Sequence, residues 1–369
     1  MSDSILVSTR KGLFTVKRGK AGWSVADVGF LADNVTLALH DPRDGTSYAA
    51  LNHGHFGVKL HRKLAGGAWE ECTAPAYPPK PEGLVDLDGW GKPVNWSTQM
   101  IWALEPGGAD EPGVLWCGTM PGGLFRSRDR GSSWELIRSL WDNPARNKWM
   151  GGGADIPGIH SICVDPRSSK TVRIAVSCGG VWTTHDGGAT WACEASGMHY
   201  DHMPEDAAAD DPGTQDAHFM VQCKSAPDRL WVQHHCGIYI SRDASKSWQE
   251  IKNVPPSSFG FGVAVHPKEP DTAWFVPGIK DEKRIPVDGK LVVTRTRDGG
   301  KSFDVLRNGL PQQHAYDLVL RHGLAIDGTG DRLAFGSTTG GVWVTEDQGD
   351  HWQNVSHSLP PVYAVRFAG

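Results

Sequence analysis

Histidine carries most of the chemistry that this chain could perform. Sixteen are present. His160 and His218 open matched segments, His160-Ser-Ile-Cys-Val and His218-Phe-Met-Val-Gln. His234 and His235 stand side by side before Cys236, His53 and His55 flank Gly54, and His314 precedes Tyr316 and Asp317. Several imidazoles near a thiolate or carboxylate suit a bound Zn, Cu, Fe or Mn ion. The arrangement that these positions favour is a tris-His site of His160, His218 and either His234 or His235, with Zn or Cu as the ion. The same groups suit acid–base catalysis on a small ligand. His160, His218, His314, Tyr316 and Asp317 are then the catalytic candidates, and His53, His55, Trp149, Lys283 and Arg284 the ligand contacts. The plainer alternative is a polar mouth whose imidazoles bond loop backbone. No spacing here matches an established ligand motif, and His199-x-x-His202 is a weak one.

What must position these side chains is a repeat. Ser127-Arg-Asp129-Arg-Gly131-Ser-Ser-Trp134 has the frame S/T-x-D-x-G-x-x-aromatic, and it returns around Asp186, Asp243, Asp298 and Asp347, at steps of 49 to 57 residues. The physics is local. The Asp accepts hydrogen bonds from backbone N–H groups of its own turn, and the Gly adopts a conformation that a Cβ resists. Each copy follows an apolar strand opened by Gly, with two further strands upstream, so one unit is four strands, A to D, with the Asp turn between C and D. Four antiparallel strands per unit of this length form a propeller blade. Two degenerate copies keep the aromatic and lose the Asp: Leu64 stands in its place before Trp69, and Arg18 before Trp23. The expected fold is therefore an all-β, seven-bladed β-propeller in one domain over 1–369. The chain opens on a B-type strand at Ile5–Ser8 and ends on a lone A-type strand at Val362–Phe367, whose pairing closes the ring. Six or eight blades would leave a strand set unassigned.

In such a blade the D–A and B–C connections share one face and the C–D turns lie on the other. The long connections at 73–98, 138–158, 194–216 and 277–289 all fall on the first face, as do the histidines, so the working end is expected opposite the Asp turns. Asp86, Asp88, Asp155, Asp201, Glu205 and Asp317 could supply the two carboxylates of a glycosidase. Trp90, Trp96, Trp141 and Trp149 could anchor a protein partner or pack the insertions onto the disc.

The five hairpins resemble the Asp-box, or BNR, repeat of sialidases, sortilin-type receptors and many bacterial propellers. Across nearly its whole length the chain is similar to bacterial proteins described as Asp-box, WD40/YVTN/BNR-like or sialidase-like propellers; Pro157-Gly-Ile-His-Ser-Ile-Cys-Val-Asp-Pro166, Trp231-Val-Gln-His-His235 and Gln313-His-Ala-Tyr-Asp317 carry that likeness. The resemblance implies the propeller. A sialidase would also carry an Arg triad and a Tyr/Glu nucleophile pair, with R-I-P in its first blade. Here Arg284-Ile-Pro286 lies deep in the sixth, so the likeness covers the scaffold and not an exo-sialidase site.

Composition narrows the rest. Lys+Arg 37 against Asp+Glu 42 gives a formal charge of -5 with no basic block, which argues against nucleic acid and anionic membranes as partners. No apolar run is long enough to span a bilayer and no secretory leader is visible. Seven cysteines, an odd number without a C-x-x-C pair, suit reduced thiols in a cytoplasm. The function expected is a propeller binding and transforming a small ligand, hydrolase- or lyase-like, with or without a metal. The alternatives are a non-catalytic ligand- or protein-binding platform and a glycosidase on a sialidase-like scaffold.

Overall fold

The computed structural model describes residues 2–152, 154–202 and 208–369. Glu205 and Asp206 lie outside them. The described residues form seven four-stranded antiparallel sheets. Blade 1 is split between the termini: Val362–Phe367 is its innermost strand, followed outward by Ser4–Thr9, Gly12–Gly19 and Gly22–Gly29. The innermost strands of blades 2 to 7 are Val35–His40, Met100–Pro106, Ile159–Val164, Ala217–Gln222, Gly260–Val265 and Leu324–Ile326. Each lies beside the innermost strand of the next blade, and the last lies beside Val362–Phe367, so the ring is closed. The closing register pairs Ile5 with Phe367 and Val7 with Val365. No helix is long and apolar enough to cross a membrane.

The core is built between blades. Clusters such as Leu37, Tyr48, Leu60, Ile101, Leu115 and Phe125 join blade 2 to blade 3, and Ile5, Val7, Val342, Val344, Val362 and Val365 join blade 7 to blade 1. All seven cysteines are free.

The five S/T-x-D-x-G hairpins have one geometry. The carboxylates of Asp129, Asp186, Asp243, Asp298 and Asp347 each accept the backbone N–H four residues on, at 2.8–2.9 Å. The Ser or Thr two residues before each Asp accepts the N–H of the residue at the Gly position, at 2.8–3.0 Å. That residue has φ between 76° and 99°, which is why it is Gly in four copies. Ser245 is the exception; its hydroxyl bonds the Glu194 carboxylate at 2.5 Å in compensation. The Ser302 hydroxyl donating to Asp298 is the largest influence pulling that carboxyl down to about 2.

The hairpins also hold the blades together. Arg62, Arg126, Arg173, Arg242 and Arg295 each donate to a backbone carbonyl in the hairpin of the next blade: Arg130, Gly187, Ala244, Gly299 and Gln348, at 2.8–3.2 Å. Between blades 7 and 1, Arg332 donates to the Ser2 carbonyl at 2.7 Å, because blade 1 has lost its Asp turn. Six of the seven junctions are stitched in this way.

If the terminal strand pair closes the ring, Val365→Ala, which removes two fully buried methyl groups from it, lowers unfolding free energy by about 2 kcal/mol. Truncation before Val362 abolishes the cooperative transition. Urea denaturation followed by circular dichroism measures both.

Candidate functional site

The site grows out of a defect repeated in the sheets. The innermost strands of blades 2 to 6 each carry a register shift near the start: between Val35 and Leu37, Ile101 and Ala103, Ile159 and Ser161, Ala217 and Phe219, and Gly260 and Val263. A bulge re-aims the extra residue away from the ladder. Thr36, Trp102, His160, His218 and Phe261 occupy these places, around one end of the central channel. Blade 7 contributes Arg321 and His322 from the segment before its innermost strand. The Arg321 guanidinium lies over the rings of both Trp102, at 4.9 Å, and Phe261, at 5.3 Å, spanning the axis between blades 3 and 6. His322 Nε2 reaches the His160 carbonyl in blade 4 at 2.8 Å. Both side chains are buried at this end of the channel.

At the same end, blade 5 assembles a compact group. Among the described residues, the three metal-ligand-type side chains whose donor atoms all fall within 4.8 Å of one another are Asp216, His218 and His235. Asp216 Oδ2 is 3.7 Å from His218 Nε2 and 3.3 Å from His235 Nδ1, and the two nitrogens are 3.2 Å apart. His218 Nδ1 lies 2.7 Å from the Gly260 carbonyl oxygen, which can only accept. Nδ1 therefore carries the proton, and the Nε2 lone pair faces the other two atoms. The His218 ring is stacked on Phe261 at 4.4 Å, and the backbone N–H of His235 donates to the Asp216 carbonyl at 2.9 Å.

Blade 4 uses the same frame with other residues. The Ser177 N–H donates to the Gly158 carbonyl at 3.0 Å, so Gly158, His160 and Ser177 stand where blade 5 has Asp216, His218 and His235. The repeat supplied the position, and only blade 5 filled it with three ligands.

Burial sets the electrostatics. It is the chief cause holding the imidazoles of His160 and His218 below their ordinary value and His234 and His322 down to about 3, so these rings are neutral near pH 7. Burial alone would raise the Asp216 carboxyl, but its polar and charged neighbours, the Arg321 cation among them, outweigh it and hold the group well below the carboxylate range. Burial draws Arg321 down to about 10, still a cation. Cys178 and Tyr200 are pushed far up by burial and remain protonated. Seven side-chain atoms at this end are buried without a protein partner: His160 Nε2, Ser177 Oγ, Gln215 Oε1, Asp216 Oδ2, His234 Nε2, and Nε and Nη2 of Arg321.

The tris-His arrangement expected from the sequence is not the one formed. His160 Nδ1 sits 2.9 Å from Ser161 Oγ with its ring edge-on to Trp102, and His234 Nδ1 accepts the Cys236 N–H at 3.1 Å. The third ligand-type group is Asp216, two residues before His218. Trp149 is not a ligand contact: it is 1% exposed, packed among Leu124, Ile159, Val176 and Trp182 in the core between blades 3 and 4. His314 and exposed Tyr316 line a separate shallow recess with Ile285, Lys290 and Gln312, while Asp317 accepts the Ser337 hydroxyl at 2.6 Å. These three are not brought to the Asp216 group. His53 lies 3.6 Å from Asp33, and His55 packs on Phe56, both in the B–C turn of blade 2. Lys283 is exposed on the 277–289 insertion; Arg284, paired with Asp281, stands 5.3 Å over Phe261 at the edge of the mouth.

The carboxylates considered for a glycosidase pair are mostly committed. Asp86 is buried against Arg146 at 2.6 Å and Trp96 Nε1 at 2.7 Å, Asp88 caps its own turn through the Trp90 and Lys92 N–H groups, and Asp201 pairs with His199 at 2.9 Å. Asp155 is exposed. Asp216, Arg321, Trp102 and Phe261 were missed because nothing in their local sequence marks them; only the bulge position, repeated across blades, could have found Trp102 and Phe261.

No family model matches the chain. Among curated proteins it is 27% identical over 228 residues to an oligoxyloglucan-reducing end-specific xyloglucanase of Emericella nidulans, covering 54% of this chain and 26% of that enzyme. It is 25% identical over 189 residues to a xyloglucanase of a Paenibacillus species, covering 43% of this chain and 16% of that enzyme. The chain thus spans about a quarter or less of the length of these relatives. Among solved structures, an ancestral GH74 enzyme aligns with a TM-score of 0.57 at 16% identity, over 88% of this chain and 39% of that one. YCF48 bound to D1 peptide aligns at 0.53 and 12% identity, over 87% of this chain and 80% of that one. These likenesses show the propeller fold.

Because Trp149 fills the core, Trp149→Ala costs about 3–5 kcal/mol in urea-unfolding free energy. A ligand-contact role would instead leave stability nearly unchanged.

Proposed function

We propose that the chain is a hydrolase acting on a small polar ligand at the mouth of the channel, with a divalent metal, Zn or Cu, held by Asp216, His218 and His235. The observation that carries this is the triangle of donor atoms. Three atoms separated by 3.2, 3.3 and 3.7 Å have a common centre about 2.0 Å from each, the bond length of Zn to nitrogen or carboxylate oxygen. The second requirement of such a site is also met. His218 is oriented by a hydrogen bond from its other ring nitrogen to a backbone carbonyl, the usual outer support of a ligating imidazole. Two imidazoles and one carboxylate leave coordination positions free for water and ligand. A bound ion would lower the pKa of such a water and polarise the ligand. Gly152 packs closely on this group: a Cβ there would stand 2.8 Å from Asp216 Oδ2.

A second reading, a glycosidase, is favoured by the similarity to xyloglucanases. Asp216 is then a carboxylate of the reaction, and cleavage of xyloglucan oligosaccharides by the metal-free protein, lost in Asp216→Asn, is its signature.

Metal analysis of the purified chain after incubation with Zn or Cu and gel filtration tests the first reading. The expected result is one equivalent per chain, falling at least about tenfold in affinity on His218→Ala or Asp216→Asn and unchanged on His160→Ala. Substoichiometric metal that is indifferent to His218 overturns it.

A further inference from the structure

We infer that the ligand of this mouth carries an oxyanion group, a carboxylate or a phosphate, and that Arg321 binds it. The inference rests on the hydrolase proposal for its site but not for its chemistry.

Arg321 is 7% exposed, and Nε and Nη2 of its guanidinium have no protein partner. An unpaired buried charge is among the most costly features a fold can hold. Here the cost is not relieved by a counterion. Asp216 is near enough to influence Arg321 electrostatically, yet its carboxylate stands among the ligating nitrogens of His218 and His235 and makes no ion pair with the guanidinium. The other buried arginines of the chain are treated differently. Arg146 has Asp86 at 2.6 Å, Arg173 has Asp165 at 3.3 Å, Arg295 has Asp304 at 2.8 Å, and Arg332 has Asp3 at 2.9 Å. Among them, Arg321 stands without a carboxylate.

Its geometry is that of a fixed fork. Trp102 and Phe261 flank the guanidinium, their ring centres 4.9 and 5.3 Å from it, which restricts its movement. Nε and a terminal nitrogen on one edge of a guanidinium are spaced to grip two oxygens of one carboxylate or phosphate. Trp102 and Phe261 themselves stand at the bulged positions of blades 3 and 6, so the fork is oriented by the same device that aims His218.

The charge balance points the same way. Arg321 and Asp216 carry opposite charges, and Arg284 at the rim is paired with Asp281. A divalent ion on Asp216, His218 and His235 would leave the pocket with net positive charge. An anionic ligand neutralises that excess; a neutral one does not.

Glucose, glucuronate and glucose 6-phosphate differ at C6 alone, and calorimetric titration of each into the full chain, as purified and after dialysis against EDTA, tests the inference. Glucuronate or glucose 6-phosphate is expected to bind and glucose not, with the carboxylate and phosphate arms separating the two sources of the oxyanion. Arg321→Met, which keeps the unbranched apolar stem and removes the guanidinium, weakens the anion at least about tenfold, the loss of one or two charge-assisted hydrogen bonds. Arg321→Lys retains part of the affinity and guards against misfolding of the Met variant. Anion binding that survives EDTA and fails in Arg321→Met upholds the inference even where the metal reading fails. Equal affinity for glucose and its anions, or anion binding indifferent to both Arg321 variants, overturns it while leaving the metal test untouched.

Discussion

Everything in this molecule depends on one strand pairing, that of Val362–Phe367 with Ser4–Thr9. Bringing the two ends of a chain of this length together costs on the order of 5 kcal/mol in loop-closure entropy. Burial of Ile5, Val7, Val362 and Val365 at about 1.5–3 kcal/mol each offsets it. Closure then does more than seal an edge. With the ring complete, every innermost strand has a neighbour on both sides, and its starting residues cannot shift without moving the others. The mouth inherits that rigidity, so Arg321 of blade 7 can meet Trp102 of blade 3 and Phe261 of blade 6 at contact distance.

The two faces divide the labour by where their hydrogen bonds end. On the Asp-turn face the carboxylates bond their own turns, and the hairpin carbonyls accept arginines from the preceding blade. Most of these polar groups hold blade to blade, although Arg126 Nε is buried without a partner. Blade 1 shows the rule by exception. It has no Asp turn, Arg332 reaches for Ser2 instead, and among the described residues no arginine stitch joins blade 1 to blade 2. On the opposite face, partner-free buried atoms gather around His160, Asp216, His234 and Arg321. Each such atom costs about 1–3 kcal/mol unless something else bonds it.

The propeller was legible in the sequence because its signal is local and repeated. An Asp bonding the N–H four residues on, and a Gly-type φ between, are requirements of one turn, so they recur wherever the turn does. Trp23 and Trp69 carried the count past the lost Asp turns, since an aromatic can still cover a turn that has other internal bonds. The site was legible in part. His218 and His235 were singled out by type, and the matched positions of His160 and His218 are real: both sit at the bulge of an innermost strand. Equal position was not equal role. Asp216 and His235 flank His218 in space, whereas Gly158 and Ser177 flank His160, and no pattern on strand His160-Ser-Ile-Cys-Val reveals that difference. Trp149 misled for a related reason. Its insertion lies on the working face, but the ring turns back to pack where Gly122 and Gly179 leave room, with ring atoms at 3.0 and 2.9 Å from where their Cβ atoms would be.

One consequence of this construction concerns how such a site could arise. A propeller offers the same bulged position in blade after blade, with the residue two before it and the first residue of the B–C turn held beside it by one backbone hydrogen bond. The same backbone frame exists in blade 4 with Gly158, His160 and Ser177, but there a Cβ on Gly158 would stand 2.5 Å from Trp102 and Met120, so the first place must stay Gly. Blade 5 has Asp216 and His235 in the outer two, and the donor atoms then fall within 3.7 Å of one another without further adjustment. Arg321 is positioned separately, since it precedes its innermost strand and is not at a bulge. The Asp216 triad and Arg321 are thus placed by different devices, yet they meet at Phe261, which stacks on His218 and lies 5.3 Å from the guanidinium, and through the charge of Asp216. A change at either group therefore reaches the other.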